Sequence, residues 1–175
     1  MQAIDHMGVK LSYKLNYCAG RFVMVSLKRK PNIVSMRTTK LSFKNQLNVE
    51  LSALLDLPLD QKPQALALFA HCFTCSKNLR AVKHISKAMT QGGIGVLRFD
   101  FTGLGDSGGS FEQSTFSNNI SDLVTAATFV EQEMKQEVSL LVGHSLGGAA
   151  VLFAARHLPK VRAVATVGAP YSPDH

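Results

Sequence analysis

Residues Leu140 to Ala150, LLVGHSLGGAA, set a serine between two glycines at the junction of an apolar run and a helix-forming run. No other stretch restricts the fold as much. A serine can stand free above a sheet at such a junction only on a sharp, strained turn, and the flanking glycines remove the Cβ atoms that would collide there. The spacing predicts a strand, a nucleophile elbow centred on Ser145 and a helix, with Gly143 and Gly147 supporting the turn. The neighbouring His144 is expected to point into the structure and not toward Ser145. A helix N-terminus favours negative charge, so the N–H of Leu146 is expected to donate to a developing oxyanion.

The surroundings of this turn read as regular alternation of strands and helices. Leu41 and Phe43, then Val49, Leu51 and Ala53, suggest two short strands joined by a turn at Asn45 to Asn48, with organised structure beginning near Lys40. Pro58, Asp60 and Pro63 read as the loop that follows. The continuous apolar run Ala65 to Ala70 predicts a strand buried on both faces. Leu79, Val82, Ile85 and Met89 recur at helical spacing up to Gly92 and Gly93, and Ile94 to Phe99 is the next strand. Ile120, Leu123, Val124, Ala127 and Met134 share a second helical face, capped by Ser117 or Asn118. Val138 to Val142, Leu146 to Leu158 and Val161 to Val167 complete the order as strand, helix and strand. Such units imply an α/β fold with a mostly parallel sheet and helices on both faces.

Bulk properties narrow the function classes. The chain has 175 residues, 46% of them hydrophobic, which suits one globular domain. Its formal charge of +7 is unevenly placed: residues 1–48 hold nine Lys and Arg against one acid, leaving ten of the 19 bases against eleven of the 12 acids thereafter. A nearly neutral globular part argues against nucleic-acid binding. Residues 1–36 read as a basic extension outside the fold, either resembling an organelle transit peptide or, preferably, upstream sequence before an initiator at Met36. Residues 37–175 read as the domain proper. The longest early apolar run, Phe22 to Leu27, is too short for a signal sequence or a membrane span, and three cysteines argue against a disulfide framework, so a cytoplasmic protein is expected.

Two loops carry further candidates. An oxyanion hole needs a second donor from the loop after an earlier strand, and FAHCFTCS, Phe69 to Ser76, lies there with the N–H of Phe73 as the candidate. His71 reads as a structural residue of that loop. Cys72 and Cys75 form a CxxC that admits a redox or zinc reading, but no second cysteine pair is present, and His71, His84 and His144 do not fall at familiar ligand spacings. No metal or other cofactor is expected. GLGDSG, Gly103 to Gly108, matches a dinucleotide fingerprint, yet it does not open a helix directly, and Asp122 and Glu131 fall within a helix where the fingerprint wants an acid ending a strand. These glycines are expected to shape a loop beside the serine.

The run from ALFAHCFTCSKN through VLRFDFTGLGDSGGSF and FSNNISDL to GHSLGGAAVLFAA and VATVGAP resembles the bacterial α/β-hydrolase domain found fused to OsmC-like domains, over roughly residues 38 to 175. The resemblance implies an α/β-hydrolase fold with Ser145 as nucleophile and Leu146 and Phe73 as oxyanion donors, acting on small esters, thioesters or amides. The OsmC-like part of such fusions is associated with thiol-dependent peroxide reduction, and nothing in this chain matches it.

In this fold the triad acid and histidine follow the serine in later loops. After Ser145 the chain offers only Asp174, His157 within a helix, and His175. The fold is therefore expected to stop after the strand following the elbow, leaving Val161 to Val167 as an open edge for pairing and the chain nearly inactive alone. Two alternatives stand beside the hydrolase: a non-catalytic module holding a partner at that edge, and a redox role for Cys72 and Cys75.

Overall fold

The computed structural model describes residues 2–4, 10–12, 36–59 and 62–170. The chain divides into two units, Met1–Asn32 and Ile33–His175. In the first, β1 (Gln2–Ile4) and β2 (Lys10–Ser12) pair antiparallel with Ala3 opposite Leu11. Asp174 and His175, the terminal acid and base considered from sequence, lie outside the described residues.

The second unit runs β3 (Met36–Lys44), β4 (Glu50–Pro58), β5 (Ala65–Ala70), α1 (Arg80–Gln91), β6 (Ile94–Phe99), α2 (Phe116–Met134), β7 (Val138–His144), α3 (Leu146–Ala154) and β8 (Ala163–Val167). They form one sheet in the order β3-β4-β6-β5-β7-β8. The β3–β4 and β4–β6 pairings are antiparallel, while β6–β5, β5–β7 and β7–β8 are parallel. The sheet is thus mostly parallel, with an antiparallel hairpin at one side.

Burial follows the two-residue period of β5. Leu66, Leu68 and Ala70 face one side with Leu97, Phe99 and Leu141, where α2 contributes Leu123, Ala127 and Val130 and α3 contributes Ala150, Val151 and Ala154. Ala67 and Phe69 face the other side with Val96 and Val142, covered by Val82 of α1 and partly by Leu79, Ile85 and Met89. A strand covered by helices on both faces needs apolar residues at every position, which explains the uninterrupted ALALFA run. Among the described residues, no helix is long and apolar enough to cross a membrane.

Several element ends differ from the sequence reading, each for a local reason. Strand β3 starts at Met36, ahead of Lys40, and β4 extends through Pro58, because the hairpin ladder continues from Leu41 opposite Ala53 to Met36 opposite Pro58. Residues 37–40 are exposed. Backbone pairing and the Thr38 hydroxyl bond to Asp56 hold them, and hydrophobic periodicity registers neither. The turn is built by Asn45, whose side-chain oxygen accepts from the N–H groups of Leu47 and Val49 at 2.9 Å, with Asn48 at φ 59°.

The cap of α2 is Thr115, not Ser117 or Asn118: its hydroxyl accepts from the N–H of Asn118 at 3.2 Å, and Phe116 already belongs to the helix. Helix α3 ends at Ala154 and tightens into a 3-10 turn, Ala155–His157, short of Leu158. Pro159 lacks the amide that would continue the ladder and keeps the preceding residue out of helical geometry.

One ion pair lies inside the sheet. Arg98 on β6 donates through Nε to Asp56 Oδ2 on β4 at 2.6 Å, with Asp56 wholly buried and further held by Ser86 at 2.5 Å and Thr38 at 2.6 Å. Breaking such a pair leaves an uncompensated buried charge, which costs more than the pair contributes. Arg98→Met is expected to lower unfolding stability by about 3–5 kcal/mol. In urea denaturation the double variant Asp56→Leu/Arg98→Met should recover a substantial part of that loss.

Candidate active site

The turn at Ser145 is held by its backbone. Ser145 adopts φ 54° and ψ −124°, a region that non-glycine residues enter at a cost of roughly 1–3 kcal/mol. Two bonds offset that strain: the Ser145 N–H donates to Val167 O on β8 at 2.9 Å, and the Ser145 carbonyl accepts from the N–H of Gly148 at 2.8 Å. Strand β7 therefore enters the turn, α3 leaves it, and β8 pins its apex.

The flanking glycines are required by contact. A Cβ on Gly143 would land on the backbone of Gly147 and Gly148, and one on Gly147 would land on the carbonyl oxygens of Ala70 and His71. The start of α3 thus lies directly against the end of β5. That approach brings the Ser145 turn beside the loop carrying His71, Cys72 and Phe73. Among the described residues, the N–H groups of Leu146 and Phe73 donate to no protein acceptor. Ser145 is half-buried, and its hydroxyl has no hydrogen-bond partner among them either. Exposed His157, in the 3-10 turn after α3, makes no bond to it.

His71 is 1% exposed and hydrogen-bonds through Nδ1 to the Cys72 carbonyl at 2.7 Å. That bond requires the proton on Nδ1, and Nε2 then has no partner among the described residues, lying 3.6 Å from Asp100 Oδ1. Burial pushes the imidazole below its ordinary pKa, while the Cys72 bond and the Asp100 charge oppose that shift. The ring is a neutral donor that holds one peptide of the loop. His144 is half-buried, with its Nδ1 inaccessible and unpartnered among the described residues. Cys72 and Cys75 are joined as a disulfide, so the CxxC read from sequence as two thiols is a closed ring within this loop.

A buried charge cluster that sequence reading passed over anchors the far end of the loop. Asp100 is fully buried and accepts from the backbone N–H of Lys77 and from Lys77 Nζ, both at 2.5 Å. Lys77 Nζ also reaches Asp106 Oδ2 at 2.8 Å, and that cation holds the exposed Asp106 carboxyl below its usual pKa. Arg98 Nη1 donates to Lys77 O at 2.6 Å. The same Asp100 accepts from the N–H of Asp106, so one carboxylate braces both the His71–Lys77 loop and the GLGDSG loop. A second carboxylate, Asp122 on α2, accepts from Asn45 Nδ2 and from the N–H and hydroxyl of Thr102, each at 2.8 Å. The available signal was charge inside apolar runs, as in LRFDF and ALLDLP. Among the described residues, no group of three or more His, Cys, Asp or Glu side chains could hold a metal ion.

Comparison with known proteins bears on the family and the fold. The esterase domain of a Rhodothermus marinus protein is 50% identical, with a TM-score of 0.65 over 78% of this chain and 52% of that one. An α/β serine hydrolase without a lid from Xanthomonas campestris superposes with a TM-score of 0.70 at 24% identity, over 79% of this chain and 64% of that one. Est1E from Butyrivibrio proteoclasticus, solved with ferulic acid bound, gives 0.65 at 24% identity, over 71% of this chain and 50% of that one. The last two likenesses concern the fold. No curated protein matches the sequence. The chain spans about half the length of the Rhodothermus and Butyrivibrio structures. A family model described as "Serine aminopeptidase, S33" matches residues 61–175. With that match over more than half its length and this strand order, the chain belongs to the serine aminopeptidase S33 family and has the α/β-hydrolase fold.

Proposed function

We propose that this chain is the nucleophile-bearing half of a serine hydrolase acting on small esters, thioesters or amides. The observation that carries the reading is the packing of Gly147 onto the Ala70 and His71 carbonyls, which brings the Ser145 turn against the loop carrying Phe73; it is supported by the N–H groups of Leu146 and Phe73, which have no protein acceptor among the described residues. The Ser145 hydroxyl attacks the substrate carbonyl. The developing oxyanion takes its hydrogen bonds from Leu146 and Phe73, each worth roughly 3–4 kcal/mol in the transition state. The leaving group departs from the tetrahedral intermediate to give an acyl-Ser145, which water then hydrolyses. His71 is a positioning residue: its Nδ1–H holds the Cys72 carbonyl and so turns the N–H of Phe73, in the same peptide plane, to the opposite side.

Proton transfer from Ser145 needs an imidazole within hydrogen-bond reach, and among the described residues none bonds to its hydroxyl. The 175-residue chain is therefore proposed to retain only residual activity, and the motif resemblance extends the proposal to a parent protein with further hydrolase strands and an OsmC-like domain. Hydrolysis of an activated aryl acetate by the chain is expected at the level left when a triad member is removed, roughly 10³–10⁴-fold over water. Ser145→Ala should abolish fluorophosphonate labelling and the acyl-enzyme adduct, while the residual turnover that the oxyanion donors and binding supply is expected to persist. Labelling or an acyl-enzyme adduct that survives Ser145→Ala would end the hydrolase reading.

A second reading is a non-catalytic module. It is supported by β8, whose outer edge has no strand beside it among the described residues and whose Val167 is 48% exposed. Such an edge offers unpaired backbone groups to a partner strand. Sedimentation of the chain as a dimer, together with absent labelling, would favour this reading.

The neutral His71 also predicts a pH dependence. Its folded pKa is lowered relative to the unfolded value near 6.5, so the stability it contributes is present above about pH 6.5 and is lost as pH falls through that value toward the folded one. Urea midpoints are expected to drop between pH 7.5 and pH 5, by less in His71→Asn, whose amide can replace the Nδ1 donor without titrating. Equal drops in both proteins would remove His71 as the cause.

A further inference from the structure

We propose that the Cys72–Cys75 disulfide is an exchangeable clamp on the oxyanion loop, opened by an external dithiol and closed again by the corresponding disulfide. The inference rests on the hydrolase reading for its effect on Ser145 chemistry, but the clamp is defined by geometry alone. Both ends of the loop are fixed without the bridge: Ala70 and His71 lie against Gly147, and Lys77 is bound to Asp100 through its N–H and Nζ. Between these anchors, the bridge spans Cα atoms 5.3 Å apart and encloses Phe73 and Thr74. Thr74 holds φ 64°, a conformation uncommon for a β-branched residue.

Inside the ring the backbone has little other support. Cys72 O accepts from the Cys75 N–H at a long 3.2 Å and from His71 Nδ1 at 2.7 Å, and the exposed Phe73 side chain pairs with one aromatic ring among the described residues, that of the still more exposed Phe111, at 5.3 Å. The disulfide is thus the covalent restraint on the peptide that presents the Phe73 N–H. Opening it releases rotations in a segment whose function depends on where one N–H points.

The exchange is balanced. Cys75 is half-buried while Cys72 is buried, so an external thiolate attacks Cys75 Sγ, and Cys72 Sγ leaves as a thiolate and takes a proton. The second thiol of the same dithiol then attacks its own sulfur in the mixed disulfide and frees Cys75. Two electrons and two protons pass from the dithiol to the protein. Reoxidation by a small-molecule disulfide reverses each step.

The test uses the whole chain with Cys18→Ser, so that only the loop cysteines report. After equilibration with oxidised or reduced dithiothreitol, alkylation and mass spectrometry should show no free thiol in the first state and two in the second. Amide hydrogen exchange in peptides covering residues 71–77 should be at least about tenfold faster in the reduced state, and Cys72→Ser/Cys75→Ser should match the reduced protein under both conditions. Fluorophosphonate labelling of Ser145 should slow by at least about tenfold on reduction, since a displaced donor loses transition-state contact. Two free thiols after oxidation, equal exchange in both states, or labelling at equal rates would each overturn the clamp. Labelling absent from both states would refute the hydrolase reading instead, and the exchange measurement would still decide whether the bridge holds the loop.

Discussion

The approach of Gly147 to the carbonyls of Ala70 and His71 is the contact on which the rest of the candidate site depends. It joins two segments more than seventy-five residues apart at a separation that only a missing side chain permits. Because α3 begins there, its N-terminus lies against the end of β5. Because β5 lies between β6 and β7, that loop emerges from the middle of the sheet, where neighbouring strands hold its base rigid. Ser145 could not keep its strained backbone in isolation. It does so because β8 and α3 each hold it, Val167 accepting from its N–H and Gly148 donating to its carbonyl.

Buried charge serves the same end from the other side. Asp56 and Arg98 link β4 to β6, Arg98 passes to the Lys77 carbonyl, and Lys77 passes to Asp100. This chain of polar groups sits where simple packing would place hydrocarbon. Each member is costly unless all are paired, so the network favours one arrangement of its loops over many loose ones. Its two outlets are the His71–Lys77 loop and the loop around Asp106, both at the end of the sheet where Ser145 stands.

Much of the fold was legible in order and type. ALALFA and IGVLRF matched their strands because full burial leaves an uninterrupted apolar run, and the α1 stripe ended at Gly92 as its spacing indicated. The misplaced features were those held by backbone geometry. The exposed half of β3 carries no periodic signal, and the α2 cap depends on which hydroxyl meets the Asn118 amide. The closed Cys72–Cys75 ring was written in the sequence as a spacing, but bridging depends on Cα atoms brought within 5.3 Å by the turn at Thr74.

By itself, the sequence determined the strand, glycine-flanked serine and helix at Leu140 to Ala150, because steric exclusion at the two glycines and a two-residue or helical period are local properties. It also determined that Phe73 lies on the loop after an earlier buried strand. Tertiary structure alone decided that this loop meets the Ser145 turn, that His71 is a buried neutral donor, and that Asp100 braces two loops at once. Those outcomes require strands distant in the chain to lie side by side, and pairing across the sheet is a long-range choice that no local pattern encodes.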